Sequence, residues 1–580
     1  MLLKKNAADK EELLIYCAND GKKHKIEAGK TLAEASRMWC PSLKTRKGGK
    51  ELPVIAALVD QKVKDLNFRL YNPHRVEFVT YDDPEGRRCY IRSLCFVLQK
   101  AVSELHPDKM LTIEHSLPSG LYCEISELDA RTGTYSRRYF IKDEEVDALK
   151  ARMSEIIAAD LPFTSQKVLA EDADKIFISH HQDDKSRLLR SLGKFTAVVY
   201  SLEDWSDTFY GPLVPSTGYL KVFDLSAFNN GVCLQLPVVG NFEKIMPMRR
   251  QSKIAGSLEE YARWCKVIGI NGLGSLNTAI SDGKAVDIIN VAESLHERKY
   301  AMIADMIHQR RGQTRIVFIA GPSSSGKTSS SLRIALQCKV LGLNPKVIEL
   351  DNYFLDREHT PLDENGEKDF EALGAMDLDC LNSQLNDLLA GKKVEIPKFD
   401  FKEGRRVPSG NVLQLEENDI LIMEGIHALD PEMTPSVDNS RIFRVYASAL
   451  TSLRLDENNN ISTSDNRLLR RMVRDNRVRG ITPEETILRW PSVRRGEVRN
   501  IFPFQENADV IFNSALIFEL PMLRYYAEPL LRRIAPDSDA YPEAARMLSF
   551  LSYIKPLQPS EIAAIPPTSI MREFIGGQTL

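Results

Sequence analysis

The sequence predicts a multidomain α/β protein in three parts: a small β-rich module, an α+β module, and a C-terminal half built on a doubly wound parallel sheet. Three observations predict it. Gly321-Pro322-Ser323-Ser324-Ser325-Gly326-Lys327-Thr328 forms a phosphate loop between the apolar run Ile316–Ala320 and a stretch of helical spacing. Downstream, apolar runs recur at Val347–Leu350, Ile420–Met423, Ile442–Tyr446 and Val510–Phe512, separated by helical or loop stretches. Near the start, short strand-like runs alternate with Gly/Asn/Asp turns. At 580 residues the chain is too long for a single ordinary core.

The elements follow in order. Residues 11–75 read as a β-rich domain with one helix: Leu13–Cys17, a hairpin signal at Asn19-Asp20-Gly21, a helix near Thr31–Ala35, and Val54–Val59. A second module spans 82–225. A helical connection spans 226–312, where Leu258, Tyr261, Ala262 and Cys265 recur at three and four, as do Ile288, Val291, Ala292 and Leu295. The sheet domain occupies 313–520. A helical tail over 521–580 shows no chemistry in its sequence.

Composition narrows the class. Asp and Glu total 80 against 77 Lys and Arg, so bulk charge gives no argument for nucleic acid. The nine cysteines are scattered without a C-x-x-C pair, which fits buried thiols in a reducing cytosol. Met1–Lys10 has no long apolar core after its charges, and no stretch approaches about 18 uninterrupted apolar residues, so a cytoplasmic protein with no membrane partner is expected. His180-His181, followed by Asp183-Asp184, reads as surface rather than as a metal site.

The chemistry gathers around the loop. Gly321, Ser323, Ser324, Ser325, Gly326, Lys327, Thr328 and Ser329 are the expected nucleotide-binding set, with Lys327 as a cation and the Thr328 hydroxyl directed to Mg²⁺. The following helix is expected to place Leu332, Ala335 and Leu336 on its packed face. In a doubly wound sheet ligands bind beyond the carboxyl ends of the strands, so a polar residue directly after an apolar run reads as chemical. Asp351 and Glu424 satisfy that. Further on, Arg467, Arg470, Arg471 and Arg474 share one helical face, opposite Leu468, Leu469, Met472 and Val473. Arginines without a lysine suit bidentate phosphate clamping.

These segments resemble the uridine kinase and phosphoribulokinase family, in Leu350-Asp351-Asn352-Tyr353-Phe354, Met423-Glu424-Gly425 and the arginine helix, which matches the family's lid. The resemblance implies ATP as phosphoryl donor with Mg²⁺, Asp351 as the base that deprotonates a sugar hydroxyl, and Glu424 on the metal. It implies Lys327, Arg470 and Arg474 on the transferring group. Tyr353, Glu371, Phe399, Arg405, Arg467 and Arg471 become the substrate side. Asp369–Asp377 stands where uridine kinases carry N-F-D-H-P-D-A-F-D, so Glu371 takes the place of the ribose-binding carboxylate; Pro397–Phe401 matches a Y-D-F pattern with Phe399 in place of tyrosine.

Residues 11–75 resemble a TGS domain, the ubiquitin-like, β-grasp module of threonyl-tRNA synthetases and stringent-response enzymes. From Asp82 to about Leu225 the chain resembles the second, editing-type domain of threonyl-tRNA synthetase, through Leu98–Val102, Glu104–Lys109, Ser119–Tyr122, Ala158–Phe163 and Gly211–Gly218. The family's H-x-x-x-H falls on Arg92–Phe96 and its C-x-x-x-H on Phe209–Leu213, so the polar residues are lost at all four positions. Phe and Leu neither bind a metal nor move a proton, and aminoacyl-ester hydrolysis is expected to be absent. The expectation is an ATP-dependent nucleoside kinase with a uridine- or cytidine-like acceptor. The alternatives are a kinase of another sugar, as in phosphoribulokinase, and a regulatory tRNA- or RNA-binding protein with a nucleotide switch. The N-terminal modules would then carry the tRNA, RNA or nucleotide ligand.

Overall fold

The computed structural model describes residues 12–44, 50–129, 134–249, 251–362, 366, 368–400 and 403–580. Met1–Lys10 and Phe401 lie outside them.

The first sheet begins with the hairpin Glu12–Cys17 and Lys22–Glu27, closed at Gly21 with φ 70°. Arg75–Val79 then runs parallel to the first strand and antiparallel to Ala56–Val59. The helix Leu32–Trp39 packs on this mixed sheet, started by a capping box in which Thr31 and Glu34 satisfy each other's backbone N–H groups. That is a β-grasp layout, and its central strand carries the module to Val79, beyond the expected boundary at 75.

The second module wraps strands around the long helix Pro84–Leu105. Its main sheet orders Thr134–Arg138, Gly120–Asp129, Gly231–Gln235 and Asp224–Phe228, with Lys109–Leu117 also paired to Gly120–Asp129. A separate sheet of Thr164–Leu169, Thr196–Leu202 and Trp205–Asp207 stands beside it. The helices Ser252–Val267, Leu273–Ser281 and Ala285–Gln309 form the connection. They bury Leu258, Tyr261, Cys265, Ile288 and Ala292, while Val291 is exposed.

The C-terminal sheet is wholly parallel in the order Asn344–Glu349, Asp419–Glu424, Ile316–Ala320, Ile442–Ser448, Val510–Asn513. Ile316–Ala320 is buried along its whole length, as a central strand covered on both faces should be. The loop helix Lys327–Val340 departs from expectation. It buries Ser329, Ser330, Ser331, Ile334, Ala335 and Cys338, whereas Leu336 is 44% exposed. Its packed face is turned toward its serines because the helix Ala285–Gln309 and the C-terminal segment cover that side; the Tyr300 hydroxyl lies 3.3 Å from Ser330 Oγ.

All nine cysteines are free thiols, and all but Cys380 are buried. His180 stacks on Trp205, with ring centres 4.1 Å apart, which accounts for it as a packing residue. Among the described residues no helix is long and apolar enough to cross a membrane.

A hairpin of the C-terminal domain, Arg454–Asp456 with Asn459–Asn460, penetrates the second module. The Glu457 carboxylate accepts the backbone N–H groups of Asp184 and Lys185 at 2.6 and 3.1 Å, capping the helix Asp183–Ser191 from another domain. Lys185 pairs with Asp207 and with Asp456, and Tyr210 donates to Asp456 at 2.6 Å. Removing one member of such a network strands the others. Glu457→Ala is expected to lower stability by about 1–3 kcal/mol, seen as an earlier calorimetric transition. An unshifted transition would show that the cap contributes nothing.

Candidate active site

An anion cradle needs amide N–H groups turned inward, so the carbonyls of the same residues turn outward and must find donors elsewhere. Four loop carbonyls find such donors, although Pro322 carries no N–H, the Ser323 N–H donates to Glu497 Oε1 at 3.2 Å and the Ser325 N–H to Pro322 O at 3.2 Å. Lys327 Nζ donates to Pro322 O at 3.4 Å, Arg467 Nη1 to Ser323 O at 3.0 Å, Arg470 Nη1 to Ser324 O at 3.5 Å, and Ser514 Oγ to Ser325 O at 2.5 Å. The turn itself uses left-handed backbone at Ser324, φ 59°, and Gly326, φ 81°. A Cβ on Gly321 would collide with the Ala447 carbonyl, and one on Gly326 with the Ile570 side chain.

The lid helix Thr463–Val478 therefore differs from the expected arginine comb. Arg467 and Arg470 are buried, the first in a two-pronged ion pair with Glu497 and the second paired with Glu519. A buried guanidinium requires a carboxylate, and these two are consumed by Glu497, Glu519 and the loop carbonyls. They shape the cradle instead of reaching for a transferring group. Arg471 and Arg474 remain at its mouth: Arg471 Nη1 donates to Ser323 Oγ at 2.9 Å, and both pair with Asp475, at 3.2 and 2.9 Å. Arg479, just past the helix, joins them, and sequence reasoning missed it. It pairs with Asp475 at 3.5 Å and acts electrostatically on Asp351.

Asp351 follows the strand Asn344–Glu349 in a tight turn, Leu350–Tyr353. Burial raises its carboxyl above the ordinary range, against the pull of Lys327, Arg479 and Arg474. Its carboxylate oxygens hydrogen-bond to none of the described residues. Glu424 ends the neighbouring strand and accepts from Thr328 Oγ1 at 2.7 Å. Burial pushes Glu424 up to about 7, and Lys327 opposes the rise. Two hard oxygen donors this close, at the end of the loop, fit a Mg²⁺ ion.

Glu371 reaches the same cluster. Burial and the charge of Glu497 push it up to about 7, with Arg471 and Lys327 pulling it back. Gly496 makes room for it, since a Cβ there would press on the Glu371 side chain. The other acceptor-side residues are placed differently. Tyr353 is buried with its hydroxyl bonded to Gln384 at 2.8 Å, so it serves packing. The Phe399 backbone N–H donates to Asn352 Oδ1 at 3.1 Å, which ties that strand beside Asp351. Arg405 is exposed and paired with Glu403 at 2.6 Å.

At the positions where the synthetase resemblance marks lost chemistry, Phe96, Phe209 and Leu213 are buried, with the rings of Phe96 and Phe209 5.1 Å apart. Arg92 donates to the Pro212 carbonyl at 2.9 Å.

Residues 316–517 match the model of the phosphoribulokinase / uridine kinase family. A uridine kinase of Staphylococcus epidermidis is 31% identical over 200 residues, covering 34% of this chain and 87% of that protein. A uridine kinase of Macrococcus caseolyticus is 32% identical over 201 residues, with the same coverage of 34% and 87%. A threonine–tRNA ligase of Pelobacter propionicus is 29% identical over 206 residues, which is 36% of this chain; the chain spans only 30% of the ligase's length.

The raised carboxyl of Glu371 has a stability consequence. Between its ordinary value of 4.5 and about 7, the folded protein holds a proton that the unfolded chain has released, so stability falls as pH rises through that window. Glu371→Gln removes the effect. The ligand-free variant should melt with the wild type near pH 4.5 and gain as pH rises, by up to about 3 kcal/mol above pH 7. Parallel melting curves at pH 5 and 8 would refute the assignment.

Proposed function

Because the chain belongs to the phosphoribulokinase / uridine kinase family, we propose that it is an ATP-dependent kinase, transferring the γ-phosphoryl of ATP to a nucleoside 5′-hydroxyl with a uridine- or cytidine-like acceptor. One observation carries the reading: a carboxylate free of hydrogen bonds to described residues, Asp351, held in the field of Lys327, Arg474 and Arg479 at the carboxyl edge of the sheet.

Phosphoryl transfer asks for positioning and charge neutralisation more than covalent chemistry. The loop amides and Lys327 hold the β- and γ-phosphates. Thr328 and Glu424 would hold Mg²⁺, which would supply charge neutralisation to the phosphates. Asp351 takes the proton of the acceptor hydroxyl as its oxygen bonds to the γ-phosphorus and the bond to the β-phosphate oxygen breaks, releasing ADP. Arg471 and Arg474 face the group in transit, while Glu371 is placed to accept from the acceptor's sugar hydroxyls.

A kinase of another sugar alcohol is the second reading, favoured by Arg405, which is exposed and engaged with Glu403. For the N-terminal modules the reading assigns binding, of tRNA, RNA or a nucleotide, in place of hydrolysis.

Acceptor-dependent ADP release across a panel of nucleosides and sugars tests the proposal. Lys327→Ala and Asp351→Asn should each lower kcat by about a thousandfold while the folded state persists. Turnover undiminished in Asp351→Asn would remove the base assignment, and RNA binding without any acceptor-stimulated turnover would favour the regulatory alternative.

A further inference from the structure

The segment Pro566–Leu580 closes on itself and onto the nucleotide loop. Its end doubles back through Gly576 and Gly577, with φ 95° and 79°, and the Thr579 N–H donates to Pro567 O at 3.1 Å. Ile570 fills the space beside Gly326 that a Cβ would need. Arg477 of the lid helix donates to the Phe574 and Glu573 carbonyls at 3.1 and 2.9 Å, and the Arg470 guanidinium lies over the Phe574 ring at 5.1 Å. Arg333 of the loop helix donates to the Thr568 carbonyl.

Two polar side chains of this segment meet at one atom of the loop helix. Ser329 Oγ donates to Glu573 Oε2 at 2.7 Å and accepts from Gln578 Nε2 at 2.9 Å. Ser329 directly follows Thr328, whose hydroxyl points to Glu424. The hydroxyls of Thr328 and Ser329, about 100° apart on the first helical turn, thus meet Glu424 and the tail respectively. A triphosphate whose terminal group faces Asp351 extends its nucleoside away from Asp351, and the tail lies along the neighbouring face of the turn.

A carboxylate beside that chain repels phosphate, and Arg474, 3.9 Å away, and Arg479 partly offset it. Glu573 is therefore productive only against an uncharged part of the ligand that offers hydrogen-bond donors. Ribose hydroxyls do so, and a carboxylate accepts from them strongly. We propose that Glu573 and Gln578 form the donor-nucleoside subsite, with Glu573 accepting from the ribose hydroxyls of the phosphoryl donor, so that the C-terminal segment sets a preference for ribonucleoside over deoxyribonucleoside triphosphates. The inference rests on the phosphoryl-transfer reading above.

Calorimetric titration of the full-length protein with Mg·ATP, Mg·2′-deoxy-ATP and Mg·3′-deoxy-ATP tests it. The wild type should bind ATP about tenfold or more tightly than at least one deoxy analogue, because a site built to bond a hydroxyl rejects ligands that lack it. Glu573→Ala should erase that difference by weakening ATP alone, and Glu573→Gln, which keeps an acceptor, should fall between. Gln578→Ala, which leaves the carboxylate in place, should shift ATP affinity in the same direction with a melting curve unchanged from wild type. Equal wild-type affinity for all three nucleotides overturns the subsite, and so does tighter ATP binding by Glu573→Ala, which would make the segment an inhibitory plug. Failure of the wild type to bind any of the three strikes the kinase reading itself.

Discussion

The structure depends on donors for the outward carbonyls of a single turn. The carbonyls of Pro322, Ser323, Ser324 and Ser325 turn toward the protein, and a buried carbonyl without a donor is costly. Lys327, Arg467, Arg470 and Ser514 supply those donors. The need explains two fully buried arginines, which explains two buried glutamates, Glu497 and Glu519, which fixes the helices that carry them. These two pairs tie the helices that carry them to the loop.

The same region is held in electrostatic tension. Asp351, Glu371 and Glu424 are acids buried near one another, and each carries a carboxyl raised by loss of solvent, with Lys327 as the cation common to all three. Carboxylates gathered without enough counter-charge are unfavourable for folding, and natural sequences tolerate such local conflict where a ligand resolves it. A divalent cation between Thr328 and Glu424 would remove much of the conflict on the metal side.

What the sequence made legible was governed by local rules. The hairpin at Asn19–Gly21 follows from turn chemistry, the helix at Leu32 from its capping box, and the parallel strands from short apolar runs; none of these needs a distant partner. The positions of Asp351 and Glu424 were legible because residues directly after such runs fall at the carboxyl edge of the sheet. The arginine helix was legible as an element but not in its roles. Periodicity gives the face a residue occupies, whereas the partners of Arg467 and Arg470 lie 30 and 49 residues away. The exposure of Leu336, the place of Arg479 and the docking of the tail share that cause: each is decided by what another part of the chain brings alongside.

That dependence on distant chain segments gives the N- and C-terminal additions a common point of action. The lid helix starts at its cap, Ser462, immediately after the hairpin whose Asp456, Glu457 and Asn458 are anchored in the second module. Its far end is held by Arg477 on the C-terminal segment. Between these anchors lie the arginines that hold the loop carbonyls and those that remain at its mouth. The second module anchors the chain next to one end of the lid helix, and the C-terminal segment holds the other. The modules flanking the phosphate-binding domain thus share with it the helix on which its cradle depends.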